Sequence, residues 1–573
     1  MSVARRTLMA VGTVFWFVLP TSNAEQELPA QPKEARYAVT IEVDASKSPG
    51  PLPRVWSYFG YDEPNFTYSA NGKKLLKELA ELSPVPVYLR THNLLTSGDG
   101  TGSLKWGSTN VYTEDPRAKP VYDWTIVDRI FDAYQESGTR PLVELGFVPE
   151  ALTTGPPPYR HSFPKDFATG WSYPPKDYAK WSELVFQFAK HLSDRYGAAS
   201  VKTWLWEVWN EPDIFYWHGT AEEYFKLYDI SAEAVRRAVP GATIGGPDST
   251  GPGSDRSAEF LRAFLDHCAH GRNYATGKTG ARLDFISFHP KGSPEWVDGH
   301  VRMGIARQLK VIDAGFKIVA SFPEWRKTPI ILGENDPEGC AACSAKEHPQ
   351  NAYRNGALYG AYTTVVLRGA MKLAEEDGVN LRGSVTWAFQ FDGQPYFEGL
   401  RALATNGIDK PVLNAFRMLG LLGETRLTVT SSSAAPVRQM VQNGVRVEPN
   451  VDAIAARKEN EVGVLIVNYH DDDVPSDDAV VNLALSGLPS TVERVFVEHY
   501  RVDATHSNSY TLWKQMGEPQ QPTGEEYRRL EMAGGLQMEG PPVWVKVVNS
   551  ALHLRFSQPT EGLSLLRFRW NHR

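Results

Sequence analysis

The chain has 573 residues, more than one ordinary domain holds, and its 42% apolar and 22% charged residues are a soluble globular composition. A net charge of −7, with no Arg/Lys run, argues against a nucleic-acid partner gripped by its phosphates. Sixteen Trp and 24 Tyr are many, and such rings fill cores or stack on sugar faces in a cleft.

The chain opens MSVARRTLMAVGTVFWFVLPTSNA. Arg5 and Arg6 are a basic end, Leu8 to Leu19 an apolar run, and Ser22 and Ala24 fit the small-residue cleavage rule. Residues 1–24 therefore read as a secretory signal, and the protein as secreted or periplasmic with no membrane partner after cleavage. The apolar run falls short of the ~18 residues a lasting anchor needs.

Residues 25–55 are a leader, and YAVTIEVDA (37–45) is expected to add a strand to a distal domain. Eight short apolar runs follow: VWSYFGY (55–61), PVYLRTH (86–92), RPLVELGF (140–147), KTWLWEVWNE (202–211), ATIGGPD (242–248), LDFISFHP (283–290), PIILGEN (329–335) and GSVTWAFQF (383–391). Helical patterns lie between them, as in KKLLKELAEL (73–82), WSELVFQFAKHLSDRY (181–196) and EEYFKLYDISAEAVRRAV (222–239). Strands buried on both faces and alternating with helices make a parallel sheet. Eight such units predict an α/β fold, a (β/α)8 TIM barrel over 56–425. A doubly wound sheet lacks support because no Gly-rich phosphate loop follows the first strand.

From about residue 426 the texture changes. TRLTVTSS, EVGVLIVNY, AVVNLALSGL, VERVFVEHYRV, WVKVVNS and LSLLRFRW alternate or are β-branched, and predict a C-terminal β-sandwich accessory domain over 426–573.

In a barrel, strand C-termini open onto one face, where active sites form. Arg90 and His92 end run two, Glu144 lies in run three, and Asn210 and Glu211 end run four. His289 ends run six, Glu334 ends run seven, and Trp387 lies in run eight. Two carboxylates in one cleft, Glu211 and Glu334, are the equipment of glycosidic hydrolysis. One protonates the leaving oxygen; the other, ionised, attacks the anomeric carbon or activates water. Apolar surroundings suit a proton donor, and Glu211 stands among Trp204, Trp206, Trp209 and Pro212. Glu334 is then the nucleophile. Asn210 can bond a ring hydroxyl beside the reacting carbon, and Arg90 can keep Glu334 ionised. Glu144 is a partner for Arg90. His92 and His289 can donate to sugar hydroxyls, and Trp387 offers a flat face to a pyranose.

His289, Glu334 and Asp336 make a thin metal set with no calcium-loop spacing, and HExxH is absent, so no catalytic metal and no cofactor are expected. No GxSxG elbow supports serine chemistry. Cys340 and Cys343 form a single CAAC, a weak metal signal, and a local disulfide is open to them outside the cytoplasm. A non-enzymatic carbohydrate-binding module is the rival class; it needs aromatic platforms but no paired carboxylates.

WNEPD after strand four, with a glutamate after strand seven, resembles the clan of retaining (β/α)8 glycosidases. More closely, the chain resembles glycoside hydrolase family 39, which holds β-D-xylosidases and α-L-iduronidases. The segments that carry this are YLRTHNLL (88–95), VDRIFDAYQESGTRPLVELGFVPEAL (127–152), VWNEPD (208–213), LDFISFH (283–289), NGIDKPVLNAFRMLGLLG (406–423) and HYRVDATHSNSYTLWKQMG (499–517). The resemblance implies Glu211 as acid/base, Glu334 as nucleophile and retention at the anomeric carbon. HPKG (289–292) resembles an iduronidase segment whose lysine faces the substrate carboxylate, which implies that role for Lys291. It implies the same for Arg401, after strand eight. The leading expectation is an exo-acting glycosidase for a uronic-type sugar. A β-D-xyloside is the alternative, since 406–423 and 499–517 are equally similar to the xylosidase branch; an arabinosyl or galactosyl sugar comes after it.

Overall fold

The computed structural model describes residues 37–167 and 169–571. The signal reading of residues 1–24, and the leader up to residue 36, lie outside the described residues.

The eight apolar runs each supply one strand of a closed barrel. These are β1 (Tyr58–Tyr61), β2 (Tyr88–Thr91), β3 (Arg140–Leu145), β4 (Leu205–Val208), β5 (Thr243–Thr250), β6 (Phe285–His289), β7 (Pro329–Leu332) and β8 (Asn380–Trp387). Each pairs in parallel with its neighbour in sequence, and β8 closes on β1 through Val385–Tyr58 and Trp387–Gly60. Parallel order forces a crossover after each strand. Helices supply the seven crossovers, α1 (Ala70–Glu81), α2 (Thr125–Ser137), α3 (Tyr178–Tyr196), α4 (Ala221–Ala238), α5 (Asp255–His270), α6 (Ile305–Ala320) and α7 (Ala357–Asp377), and α8 (Pro411–Gly420) follows the last strand.

Local chemistry starts these helices where the sequence says. Asp177 caps α3 by accepting from the backbone N–H of Ala179 and Lys180. Thr220 and Glu223 form a reciprocal capping box on α4. Each helix then buries one stripe, as α4 does with Tyr224, Leu227, Tyr228 and Val235. The exception is α7, buried on nearly every side. One face covers the barrel and the other meets the second domain, where Tyr362 lies edge-on to Tyr469 with centroids 5.9 Å apart. Arg368 and Lys372 of α7 hold the buried Asp452 at 2.6 and 2.9 Å.

The additional C-terminal elements are two β-sheets face to face. The smaller is ordered Thr428–Ser431, Tyr37–Asp44, Ala479–Ser486, Leu552–Gln558. Tyr37–Asp44 runs parallel to Ala479–Ser486 and antiparallel to Thr428–Ser431. The larger sheet is centred on Asn450–Lys458, Glu461–Tyr469, Leu563–Arg569 and Arg494–Val502. Val39, Ile41 and Val43 alternate inward to meet Val464, Ile466 and Phe568. Strands Asn450–Lys458 and Leu552–Gln558, and helices Ser509–Gln515 and Gly524–Gly534, are additions to the runs predicted above.

Candidate active site

The polar residues named above gather at the C-terminal mouth of the barrel. WLWEVWNEPD (204–213) shows how. In β4, Leu205 and Glu207 belong to the barrel interior, while Trp206 packs near Phe188 of α3. The strand ends at Val208, and Trp209 and Glu211 then take left-handed backbone conformations, φ 72° and 43°. Such conformations cost non-glycine residues on the order of 1–3 kcal/mol each. Trp209 is over-determined by its surroundings: its Nε1 donates to the Tyr216 carbonyl at 3.0 Å, and its ring meets Phe147 and Trp217. The Glu211 N–H donates to the Asp248 carbonyl at 2.8 Å. The tryptophans of this run are thus structural supports. The group that touches the Glu211 carboxylate is His289, whose Nδ1 lies 3.0 Å from Oε1.

His289 joins the two carboxylates. Its Nδ1 is also 3.7 Å from Glu334 Oε1, and its Nε2 is 2.7 Å from Asp248 Oδ1. One ligating atom from each of Glu211, His289 and Glu334 lies within 4.8 Å of the others. Burial alone would discharge the His289 imidazole, but Asp248, Glu334 and Glu211 outweigh it and push its pKa up to about 10. The spacing of this trio would suit a cation. Imidazolium at His289 and the ammonium of Lys291 already supply positive charge there.

Arg90, fully buried, is the hub beneath. Its Nε donates to Glu207 Oε2 at 2.7 Å, and its Nη2 contacts Glu144 Oε2 at 2.7 Å, the Asn210 amide oxygen at 3.1 Å, and Asp248. Its Nη1 reaches Glu334 at 3.3 Å. A closer cation serves Glu334: Lys291 Nζ lies 2.6 Å from Oε2, and 2.7 Å from Asp336. Burial would raise the Glu334 pKa, but Lys291, His289 and His92 together hold it well below the usual carboxylate range. Glu207 and Glu144 respond oppositely, burial lifting them to about 8 and about 7.

His92 packs on Trp387, centroids 4.4 Å apart, with Nδ1 3.1 Å from Asp62 and Nε2 3.3 Å from Glu144. Trp387 donates from Nε1 to Asp62 at 3.0 Å and lies under the Arg90 guanidinium at 4.9 Å. Its ring needs Gly60: a Cβ there would stand 2.2 Å from the indole. Gly333 is required in the same way, since a Cβ would stand 2.1 Å from Asp248 Oδ1 and 2.9 Å from His289 Nε2.

Of the named residues, Glu211, His289 and Lys291 line a cavity of about 1290 Å³. Glu334 keeps only 7% of its side chain exposed, beneath its contacts with Lys291 and His289. Arg90, His92, Glu144 and Trp387 are buried supports, and Asn210 is buried with its amide oxygen on Arg90. Arg401 is buried as well, and its contacts are the Trp387 carbonyl at 3.0 Å, Glu338 at 2.8 Å and Asp336 at 3.5 Å. It reaches the site through Asp336 and Lys291. Cys340 and Cys343 are joined in a disulfide on the loop after β7. Arg354, buried beneath that loop, donates to the carbonyls of Cys340 and Cys343 and pairs with Glu338 at 2.7 Å.

Sequence reasoning passed over Asp62, Lys105, Asp248 and Glu338, weighed Asp336 only as a metal ligand, and gave Glu207 no role. The signal available was a charged residue at an inward position of an apolar barrel run, which describes both Glu207 in WLWEV and Asp248 in IGGPD.

The model of the family Glycosyl hydrolases family 39 matches residues 39–547. The chain is 28% identical to a β-xylosidase of Geobacillus stearothermophilus over 469 residues, 78% of this chain and 79% of that one. It is 29% identical to the α-L-iduronidase of Homo sapiens over 552 residues, 88% of this chain and 74% of that one. A monomeric β-xylosidase from Caulobacter crescentus CB15 shares the fold, with a TM-score of 0.72 and 22% identity over 92% of this chain and 99% of that one. With paired carboxylates at the barrel mouth and the family matched across both domains, this chain is a glycosidase and belongs to glycosyl hydrolases family 39.

Proposed function

We propose that the protein is a retaining glycosidase that releases a terminal pyranosyl residue by double displacement. One distance carries the reading: an oxygen of Glu211 and an oxygen of Glu334 lie within 4.8 Å. Retaining pairs stand about 5–5.5 Å apart, and inverting pairs roughly 6.5–9.5 Å, leaving room for a water. In this reading Glu334, kept ionised by Lys291 and His289, attacks the anomeric carbon. Glu211 gives its proton to the glycosidic oxygen as the leaving group departs. Glu211 then takes a proton from the water that attacks the same carbon and frees Glu334. Asn210, its amide oxygen engaged by Arg90, has its N–H group for the neighbouring ring hydroxyl. The two relatives' names, β-xylosidase and α-L-iduronidase, each specify one released sugar.

For that sugar we propose a uronic-acid type. Lys291 lines the cavity and gives two of its three N–H donors to Glu334 and Asp336, which leaves one for a substrate carboxylate. A β-D-xyloside is the second reading, and it has its own observation. Lys291 already faces two carboxylates and Arg401 is sealed behind them, so the positive charge here is matched without substrate. A secreted or periplasmic location goes with the signal reading of residues 1–24 and with the Cys340–Cys343 disulfide.

Proton NMR of the first released sugar, taken before mutarotation, tests the mechanism: the reading requires the substrate's own anomer, and the opposite anomer excludes it. A panel of aryl α-L-iduronide, β-D-glucuronide, β-D-xyloside and α-L-arabinoside separates the two sugar readings.

A further inference from the structure

The cavity that holds Glu211 and His289 extends past the reacting groups, and its outer wall is cationic. Arg307 and Lys310 lie one helical turn apart in the first turns of α6, so they share a face. Arg446 belongs to the second domain and lines the same cavity. Asp471 sets it beside α6: Oδ1 accepts from the Ile305 N–H at 3.0 Å, and Oδ2 accepts from the Val445 N–H at 2.9 Å. One buried carboxylate thus pins the start of α6 to the residue before Arg446.

The three cations are exposed, and among the described residues none is held by a carboxylate. They differ in this from the other basic residues of the cavity. Lys105 is taken by Asp62, Lys291 by Glu334 and Asp336, and Arg302 by Asp472. The acidic residues lining the wall are Glu211, Glu295 and Asp471. Glu211 is in contact with His289, and Asp471 is spent on two backbone N–H groups and the Tyr469 hydroxyl at 2.7 Å. Three uncompensated like charges repel one another, on a chain whose net charge is −7. Of the acidic residues on the wall Glu295 alone is exposed, and it acts on Arg302, so an anion from outside complements the three cations. The cavity also carries rings: Phe167 and Phe215 lie 5.6 Å apart, and Phe215 is 43% exposed.

We propose that this outer wall is a subsite for the part of the substrate beyond the scissile bond, and that this part is an anionic saccharide bearing a carboxylate or a sulfate ester. Arg307, Lys310 and Arg446 bind the anionic groups, and Phe167 and Phe215 take the sugar faces. The second domain therefore contributes to substrate choice through Arg446. The subsite rests on the glycosidase reading above but not on which sugar is released.

Isothermal titration calorimetry on the full chain tests it, in a Glu211→Gln background so that no ligand is consumed. The probes are tetragalacturonate, a chondroitin 4-sulfate tetrasaccharide and neutral xylotetraose, at about 50 mM salt where charge is little screened. At least one anionic probe should bind about tenfold or more tighter than xylotetraose, and more weakly as salt rises. The chondroitin probe carries both groups, so tight binding of tetragalacturonate identifies the carboxylate, and tight binding of the chondroitin probe alone identifies the sulfate ester. The triple variant Arg307→Ala/Lys310→Ala/Arg446→Ala should lose that advantage and leave xylotetraose binding unchanged. The same triple substitution in otherwise wild-type protein should leave kcat/KM on an aryl glycoside unchanged, because a small aglycone does not reach the wall. Equal binding of all three probes, no binding of any, or an anionic affinity that survives the triple substitution overturns the subsite. If no aryl glycoside is cleaved by the wild type while anion binding still falls in the triple variant, an anion site stands at this wall, and the glycosidase reading that places it beyond a scissile bond fails.

Discussion

The ammonium of Lys291 stands 2.6 Å from the carboxylate of Glu334, and the same ammonium holds Asp336 at 2.7 Å. Lys291 is first among the charges that hold Glu334 well below the usual carboxylate range against the effect of its burial. Substituting Lys291 by Ala removes that charge and must raise the Glu334 pKa. The acidic limb of the kcat/KM profile should then move to higher pH on every substrate. A uronide should lose a further ~1.5–3 kcal/mol of transition-state stabilisation, roughly 10- to 150-fold, as the charge-assisted bond disappears. A xyloside measured above the shifted limb should change little. A limb that stays in place would detach Lys291 from the nucleophile.

Glu211 and Glu334 should fail differently. In Glu211→Ala, substrates with very good leaving groups need little acid help and should keep measurable turnover. The glycosyl-enzyme then accumulates, and azide should speed its breakdown. In Glu334→Ala, turnover should vanish on all substrates, and azide should restore no retained product. Steady-state kinetics with aryl glycosides of graded leaving-group pKa reads both outcomes, and the reverse pattern would exchange the roles.

Arg90 serves stability before chemistry. It is fully buried and contacts Glu144, Glu207, Asp248 and Glu334. Arg90→Met leaves carboxylates buried without their cation, at about 3–5 kcal/mol by analogy with broken buried pairs. A clear drop in the calorimetric midpoint is expected. Arg90→Lys should recover only part, since one ammonium cannot fork between Glu207 on one side and Asp248 on the other. A variant as stable as the wild type would mean that the cluster discharges by taking up protons.

The same charges set a pH window for stability. His92 and His289 titrate at about 9 and about 10 in the fold, against about 6.5 in an unfolded chain. Their contribution is complete below about pH 6.5 and is lost as pH rises through the folded values. Glu144 and Glu207, raised to about 7 and about 8, act in the same direction, because the unfolded chain releases those protons from about pH 4.3 upward. Glu334 and Asp248 are held low, so their contribution is present above about pH 4.3 and lost as pH falls further. Thermal midpoints should therefore be highest at about pH 4–4.5, where the Glu334 and Asp248 contribution has been gained and that of Glu144 and Glu207 is not yet lost, and decline on both sides. His289→Gln should flatten the alkaline decline; an undiminished decline would assign it elsewhere.

How far the molecule was legible in sequence follows from these residues. The barrel was readable because each strand is apolar on both faces and each crossover repeats its leucines and aromatics at helical spacing. WNEPD was conspicuous because a carboxylate and an amide end such a run. Asp62 was hidden at the end of a strand as the partner of His92, Lys105 and Trp387, none of them near it in sequence. Asp336 and Glu338 lie in the loop after β7, where no period orders the side chains, and their partners Lys291, Arg401 and Arg354 arrive from other loops. Helices Ser509–Gln515 and Gly524–Gly534 interrupt a run of strands, and their polar faces show too little apolar periodicity to stand out.

The central claim is that Glu334 is the atom donor that captures the anomeric carbon while Glu211 handles the proton. Incubation with activated 2-deoxy-2-fluoro glycosides of the uronide and xyloside series, followed by peptic digestion and mass spectrometry, reads this directly. The fluorine slows both steps, and the good leaving group lets the first proceed, so a covalent intermediate collects. One sugar per chain on the peptide that contains Glu334 is the predicted result. A label on the peptide of Glu211, or turnover of the matching glycoside with an inverted product and no label at all, would contradict it.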